Sequence, residues 1–177
     1  MGKVIQMATQ KKAGKINIAD LKKSINKSMG MQAAHDLRKD NPTEVKDWIP
    51  TGSRWLDSII CKGKMGGIPV GKITEIAGQS GVGKSYLAVQ IAAEAQKQGK
   101  FVVYYDAESA IDPKFLKDAG IDMDKDFIYV QAVSVETVLT AIEDMINQFG
   151  DQQSILFIWD SIAATSAEKD LELSLIH

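Results

Sequence analysis

Residues 72–98, KITEIAGQSGVGKSYLAVQIAAEAQKQ, place a β-rich run, a glycine-rich loop and a helix-forming run in direct succession. We predict a strand over Lys72 to Ala77 and a helix from about Ser85 to Gln98 that is closed by Gly99. The loop between them, residues 78–85, matches the pattern G-x-x-x-x-G-K-[ST] in the structural context that this pattern requires. A strand, loop and helix of this kind predict an α/β fold.

Strands and helices continue to alternate after that unit. The further predicted strands are FVVYYD (101–106), FIYVQ (127–131) and SILFIWD (154–160). A short helix is predicted from Pro113 to Gly120 and a longer one from Ser134 to about Gln148. This order implies a parallel central sheet flanked by helices on both faces. The very apolar ILFIW segment predicts a central strand that is buried on both sides.

The glycine-rich loop predicts a site for the phosphates of a nucleoside triphosphate. Its glycines let successive backbone N–H groups point at phosphate oxygens, and the helix that follows adds its positive end. Lys84 is expected to reach the β and γ phosphates and to stabilise charge during catalysis, and Ser85 to offer its hydroxyl to Mg²⁺. The predicted cofactor-binding residues are Gly78, Gln79, Ser80, Gly81, Val82, Gly83, Lys84, Ser85 and the adjoining Tyr86.

Acidic residues end two of the predicted strands at the same edge of the sheet. Asp160 ends ILFIWD, where its carboxylate can hold Mg²⁺ through a water ligand. Capping of the next turn is the alternative role for Asp160. Glu108 follows FVVYYD and is our candidate base for an attacking water. Asp106 competes with Glu108 for that role, and spacing alone does not choose between them.

Four stretches of the chain carry further patterns: TGSRWLD (51–57), GGIPVGKITEIAGQSGVGKS (66–85), YYDAESAIDPKFLKDAGID (104–122) and ILFIWDSIAA (155–164). In this order and at this spacing, they resemble the ATPase core of the RecA family of homologous recombinases. The family's patterns are close to TGS-x-x-LD, GG-x-P-x-G-x-x-x-E-I-x-G-x-x-x-x-GK[ST], DAE-x-A-x-DP and VVDS-x-A-A. The similarity covers about residues 45–166. The short N-terminal region and the Tyr-rich strand resemble in particular the phage recombinases of the UvsX type.

The resemblance implies roles for single residues. It implies that the nucleotide is ATP, that Glu108 is the catalytic glutamate, and that Asp160 is the Walker B aspartate beside Mg²⁺. The family's adenine contacts fall on Asp112, which can accept a hydrogen bond from the exocyclic amine, and on Phe115, whose ring can pack on the base. Phe115 stands where many members have Tyr, and simple core packing is the alternative role for its ring.

The resemblance also implies a DNA-dependent ATPase that forms filaments on single-stranded DNA and drives strand exchange in recombination and repair. Two alternatives stay open. Another motor of the same superfamily, such as a helicase or a signalling ATPase, is disfavoured by the TGS-x-x-LD and DAE-x-A-x-DP patterns. A nucleotide-binding fragment without turnover is the second alternative. The family's DNA-binding loops follow the Walker B strand, whereas this sequence ends at His177, soon after that strand. We therefore expect the core to be incomplete at the C-terminus.

The 177 residues predict four segments. Residues 1–16 predict a flexible basic tail, residues 17–40 an N-terminal helical region, residues 41–50 a linker, and residues 51–177 the RecA-like core. Residues 1–40 hold nine Lys or Arg against three acids, whereas the rest of the chain holds twelve against twenty. This basic head can contact nucleic acid or the acidic surface of a neighbouring subunit.

The N-terminal helix is predicted to carry an apolar stripe. Asn17 is a plausible N-cap, and the stripe consists of Ile18, Leu21, Ile25 and Met29. In the RecA family this helix packs on the next subunit, so the resemblance implies self-association into a filament. The chain has neither an apolar run of membrane-spanning length nor a secretory signal. We therefore expect a cytoplasmic protein with no membrane partner.

Overall fold

The computed structural model of the chain describes residues 17–37, 39 and 41–168. The chain divides after Glu44 into two units. The first unit contains helix α1 (Ile18–Met29), whose N-cap is Asn17 and whose C-cap is Gly30. The Asn17 side chain caps the helix by accepting a hydrogen bond from the backbone N–H of Ala19 at 3.0 Å. The predicted helix and its N-cap are therefore confirmed, whereas the predicted tail over 1–16 lies outside the described residues.

The second unit contains the other helices and strands of the described chain. In chain order they are β1 (Trp48–Ile49), α2 (Arg54–Ile60), β2 (Ile68–Pro69), α3 (Lys84–Lys97), β3 (Phe101–Asp106), α4 (Pro113–Asp118), β4 (Phe127–Gln131), α5 (Val135–Phe149) and β5 (Ile155–Asp160). From α3 to β5, every predicted element is present within two residues of its predicted ends. None of the helices in the described ranges is long and apolar enough to cross a membrane.

Strand β3 lies between β4 and β5 in a parallel sheet. Apolar side chains of α3 cover one face of β3, and those of α5 cover the other. Because side chains alternate along a strand, Tyr104 packs on the α3 side and Tyr105 on the α5 side. The register places Asp106 opposite Asp160, at the carboxyl ends of their strands. The predicted α/β fold with a parallel sheet is confirmed.

The prediction that ILFIW forms the buried central strand is wrong for the described sheet. Strand β5 pairs with β3 on one side, and all of its residues are only half-buried. Strand β3 is central instead, and five of its six residues are buried. Its position between two helical layers explains this, because both layers pack on β3.

The prediction of a strand over residues 72–77 is also wrong. This segment pairs with no other strand among the described residues, and each of its side chains is exposed. Ile73 is fully exposed. A strand exists through hydrogen bonds to a neighbour, and the described ranges supply no neighbour for this segment. Its β-rich composition alone therefore does not produce a strand.

The predicted linker over residues 41–50 is too long. Trp48 and Ile49 form β1, which pairs in antiparallel fashion with Ile68 and Pro69 of β2. Ile49 is buried in the same core cluster as helix α3. The two apolar residues at the end of the segment therefore belong to the second unit, whose boundary falls before Val45.

The TGSRWLD stretch has a structural role in this fold. Ser53 is the N-cap of α2, and the buried carboxylate of Asp57 accepts two hydrogen bonds from Thr51, one from its backbone N–H and one from its hydroxyl, both at 2.8 Å. Thr51 is itself buried. The pair therefore fixes the turn between β1 and α2.

We expect Asp57→Ala to lower the free energy of unfolding by about 1–3 kcal/mol, because the buried Thr51 N–H would be left without a partner and the Thr51 hydroxyl would keep only its longer contact to the Ser53 carbonyl oxygen, at 3.2 Å. Urea denaturation measures this change. Arg54→Ala is the control, since Arg54 is an exposed residue of the same short helix. Equal unfolding free energies for the two variants would contradict the role given to Asp57.

Candidate functional site

The glycine-rich loop takes up a backbone conformation that requires glycine at two positions. Gly81 and Gly83 have φ angles of 77° and 93°, in the left-handed region. A Cβ atom at either position would meet nothing within 4 Å, so the requirement is conformational and not one of space. Gly83 is the N-cap residue of α3, which places the loop directly before the N-terminus of a 14-residue helix. That end of a helix attracts anions.

The Lys84 side chain folds back over the loop. Its Nζ atom donates to the carbonyl oxygens of Gly78, at 3.0 Å, and Gln79, at 2.8 Å. The ammonium group therefore lies across the loop at hydrogen-bond distance from oxygen acceptors. Phosphate oxygens are stronger acceptors for an ammonium than neutral carbonyls are. The loop and Lys84 together fit a polyphosphate chain.

A cavity of about 200 Å³ adjoins the loop at Ser85. It is lined by Ser85, Asp106, Glu108, Ala110, Ile111, Phe115 and Asp160. These residues come from α3, the carboxyl end of β3, the segment that follows it, α4 and the end of β5. Four residues that the sequence predicted for one site, Ser85, Glu108, Phe115 and Asp160, are therefore brought to one cavity.

Asp106 and Glu108 have different surroundings in this cavity. The Asp106 carboxylate is buried and accepts three hydrogen bonds, from the backbone N–H groups of Glu108 and Ile111 and from the Tyr129 hydroxyl, at 2.9, 3.1 and 3.1 Å. Glu108 is exposed, and its Oε1 atom accepts a hydrogen bond from the Ser161 hydroxyl at 3.1 Å. Asp106 therefore shapes the loop that carries Glu108, which favours Glu108 as the carboxylate available to a water molecule.

The Asp160 carboxylate is held by a tyrosine of the neighbouring strand. The Tyr104 hydroxyl donates to Asp160 Oδ2 at 2.7 Å. Burial, followed by the hydrogen bond to Asp160, raises the pKa of Tyr104 well above its usual value. Tyr104 therefore stays protonated and remains a donor at neutral pH. Ser161, whose hydroxyl donates to Glu108, follows Asp160 through a cis peptide bond.

Aromatic rings lie at one side of the cavity, whereas Asp112 lies outside it. Phe115 lines the cavity, and its ring centroid is 6.0 Å from that of Tyr86 at an interplanar angle of 53°. The Asp112 side chain is exposed and caps α4 by accepting from the backbone N–H of Lys114 at 2.8 Å. The structure therefore brings Phe115 and Tyr86 together but does not bring Asp112 into the lining.

The oxygen atoms around the cavity suit a hard cation such as Mg²⁺. The Ser85 hydroxyl and the Asp160 carboxylate are the ligand types that Mg²⁺ prefers. No group of three or more acidic, His or Cys side chains able to hold a metal occurs in the described part of the chain. Mg²⁺ is typically bound through one or two carboxylates together with substrate phosphates and water. The residues present fit that mode.

Sequence reasoning misses Tyr104, Tyr129 and Ser161, which contact the acidic side chains of the site. One signal was available, because Tyr104 precedes Asp106 by two residues and so faces the same side of β3. The hydrogen-bond partner of Tyr104 could not be predicted from the sequence, because Tyr104 and Asp160 are separated by 56 positions and meet only through the β3–β5 pairing.

Comparison with known proteins gives one consistent result. The family model of the RecA N-terminal domain matches residues 15–176. The chain is 42% identical over 149 residues to Protein RecA of Aquifex pyrophilus, which covers 84% of this chain and 40% of that protein. It is 37% identical over 166 residues to Protein RecA of Aquifex aeolicus (94% and 45%), and 36% identical over 155 residues to that of Bifidobacterium breve (88% and 36%). The chain thus spans less than half the length of these relatives.

Proposed function

This chain belongs to the RecA family, and on that premise we propose that it is the ATP-binding core of a DNA-dependent recombinase. The observation that carries the proposal is the meeting of Ser85, Glu108 and Asp160 at one cavity beside the glycine-rich loop. The activity proposed for the whole protein is ATP hydrolysis, stimulated by single-stranded DNA, that drives filament formation and strand exchange in recombination and repair.

In this proposal, residues 78–85 hold the triphosphate and Lys84 neutralises its β and γ oxygens. Ser85 and Asp160 would hold Mg²⁺, Ser85 through its hydroxyl and Asp160 through a water ligand. Held there, Mg²⁺ would supply positive charge that compensates the negative charge of the phosphates during hydrolysis. The chain's own contribution is to fix the two metal-binding side chains, Asp160 at the end of β5 and Ser85 at the start of α3.

Glu108 acts as the base. Its carboxylate accepts a proton from a water molecule whose oxygen attacks the γ phosphorus, while the bond to the β-phosphate oxygen breaks and ADP leaves. Asp106 keeps the Glu108 loop in place through the backbone N–H groups of Glu108 and Ile111. The Ser161 hydroxyl orients the Glu108 carboxylate. This division of roles between the two acids is supported by their different hydrogen bonds.

The aromatic pair Phe115 and Tyr86 supports a position for the adenine ring of the nucleotide. Phe115 lines the cavity and Tyr86 lies against it, so a purine can pack on their rings. Asp112 is proposed to contact the exocyclic amine of adenine, as the family resemblance implies, and it would do so from outside the cavity lining. ATP is accordingly the proposed nucleotide.

Helix α1 supports the proposal of self-association. It buries none of its residues, and Ile18, Leu21, Ile25 and Met29 are all exposed. An unshared apolar stripe of this kind suits a contact with a second subunit. Sedimentation with and without single-stranded DNA tests it, since filament formation predicts large DNA-dependent assemblies. A cytoplasmic location and a relation to phage recombinases remain part of the proposal.

The proposal is tested by the rate of ATP hydrolysis with and without single-stranded DNA, with Lys84→Ala as the blank. We expect turnover above the blank, with stimulation by DNA in the whole protein, which would carry the family's DNA-binding loops. Nucleotide binding without turnover would instead favour a nucleotide-binding fragment. Turnover accompanied by closed rings in place of filaments would favour another motor of the superfamily.

A further inference from the structure

A buried tyrosine reaches the proposed metal-binding aspartate from the neighbouring strand. Tyr104 on β3 has no exposed surface, and its ring packs with the cluster that includes Val89 and Leu116. Its hydroxyl leaves this apolar cluster to donate to Asp160 Oδ2 at 2.7 Å. Tyr104 is opposite Ile158 in the register, two residues before Asp160. A diagonal contact of this kind is within reach of an aromatic side chain.

The contact constrains Asp160 without occupying its whole carboxylate. Among the described residues, the Tyr104 hydroxyl is the hydrogen-bond donor to the Asp160 side chain, and it contacts one of the two carboxylate oxygens. The other oxygen stays available, and Asp160 lines the cavity together with Ser85. A carboxylate that is fixed by a hydrogen bond presents its second oxygen in one orientation. Such outer contacts tune metal sites, and their loss typically lowers metal affinity or activity about 10–100-fold.

We propose that Tyr104 is a positioning residue that holds the Asp160 carboxylate in the orientation needed for Mg²⁺, an inference that rests on the proposed function of Asp160. The packing of the Tyr104 ring does not require its hydroxyl, because the surrounding cluster is apolar. Tyr104→Phe therefore removes the contact to Asp160 and keeps the buried ring.

The same strand offers a matched control. Tyr105 is also buried, but on the opposite face of the sheet, and its hydroxyl has no hydrogen-bond partner among the described residues. Tyr105→Phe removes the same atom from the next position of β3 without touching Asp160. A general effect of losing a buried hydroxyl in this strand would appear in both variants.

The experiment measures binding of a fluorescent ATP analogue to the 177-residue chain, first in EDTA and then during titration with MgCl₂. We expect Tyr104→Phe to leave the dissociation constant in EDTA unchanged and to raise the Mg²⁺ concentration at half-effect by about tenfold or more. Tyr105→Phe is expected to match the wild type in both measurements. A Tyr104→Phe variant whose Mg²⁺ response equals that of the wild type would overturn the proposal.

Asp160→Asn separates this proposal from the proposed function. If Asp160→Asn shifts the Mg²⁺ response and Tyr104→Phe does not, only the role of Tyr104 is wrong. If neither variant shifts it, the metal-binding role of Asp160 fails, and the role of Tyr104 fails with it. The double variant is expected to respond like Asp160→Asn alone, because two residues that act through one contact are not additive. An additional shift of similar size in the double variant would contradict action through Asp160.

Discussion

Glu108→Gln is expected to lower ATP turnover by about 10²- to 10⁴-fold, the usual contribution of a general base. The amide has the shape of the carboxylate, and its oxygen can still accept the hydrogen bond from Ser161 that Glu108 accepts at 3.1 Å. What the variant loses is the ability to take a proton from water. ATP binding should therefore be unchanged, and a steady-state hydrolysis assay alongside a nucleotide titration measures the two effects separately.

Asp118→Asn is a suitable control for Glu108→Gln. Asp118 is an exposed carboxylate at the end of α4, and it does not line the cavity. It should show the turnover of the wild type. If Glu108→Gln also keeps wild-type turnover, Glu108 is not the base, and Asp106 becomes the next candidate despite its three hydrogen bonds.

Lys84→Ala is expected to lower kcat/KM for ATP by about 10²- to 10³-fold, which is the usual effect of removing one group that stabilises the charge of a transition state. The ammonium is the cation placed over the glycine-rich loop, within hydrogen-bond distance of the carbonyl oxygens of Gly78 and Gln79. Without it, the triphosphate would bind the loop with its charge less well compensated. Unlike Glu108→Gln, this variant should also weaken nucleotide binding.

Lys97→Ala removes the same charge from the other end of α3 and serves as the control for Lys84→Ala. Lys97 is exposed and forms an ion pair with Glu94 within the helix. Lys97 lies thirteen positions after Lys84, or about 20 Å along the helix. Equal loss of activity in the two variants would indicate a general effect of net charge and would contradict a specific role for Lys84.

The order of helices and strands was predictable because local signals mark it. Ser134 caps α5 through a capping box with Thr137, and Pro113 stands in the first turn of α4. The wrong predictions concern pairing between segments that are distant in the chain. Residues 72–77 have the composition of a strand but no partner strand among the described residues. The apolar ILFIW run forms β5, which in the described sheet pairs with β3 on one side only.

The meeting of Ser85, Glu108 and Asp160 at one cavity was predictable to the same degree. Each of them follows or ends an element with a recognisable pattern, and parallel strands end at one edge of a sheet. Spacing alone did not choose between Asp106 and Glu108, and only the family resemblance favoured Glu108. The difference in their hydrogen bonds was not predictable, because the donors in the Glu108 loop and the Tyr129 hydroxyl of β4 come together only when the register of β3 and β4 is known.

A crystal structure of the chain with Mg²⁺ and a non-hydrolysable ATP analogue tests the central claim most directly. We predict that the phosphates lie in the loop over residues 78–85, that Lys84 Nζ has exchanged the carbonyls of Gly78 and Gln79 for phosphate oxygens, and that Mg²⁺ contacts Ser85 near Asp160. A nucleotide bound elsewhere, with Lys84 still donating to those carbonyls, would contradict the account.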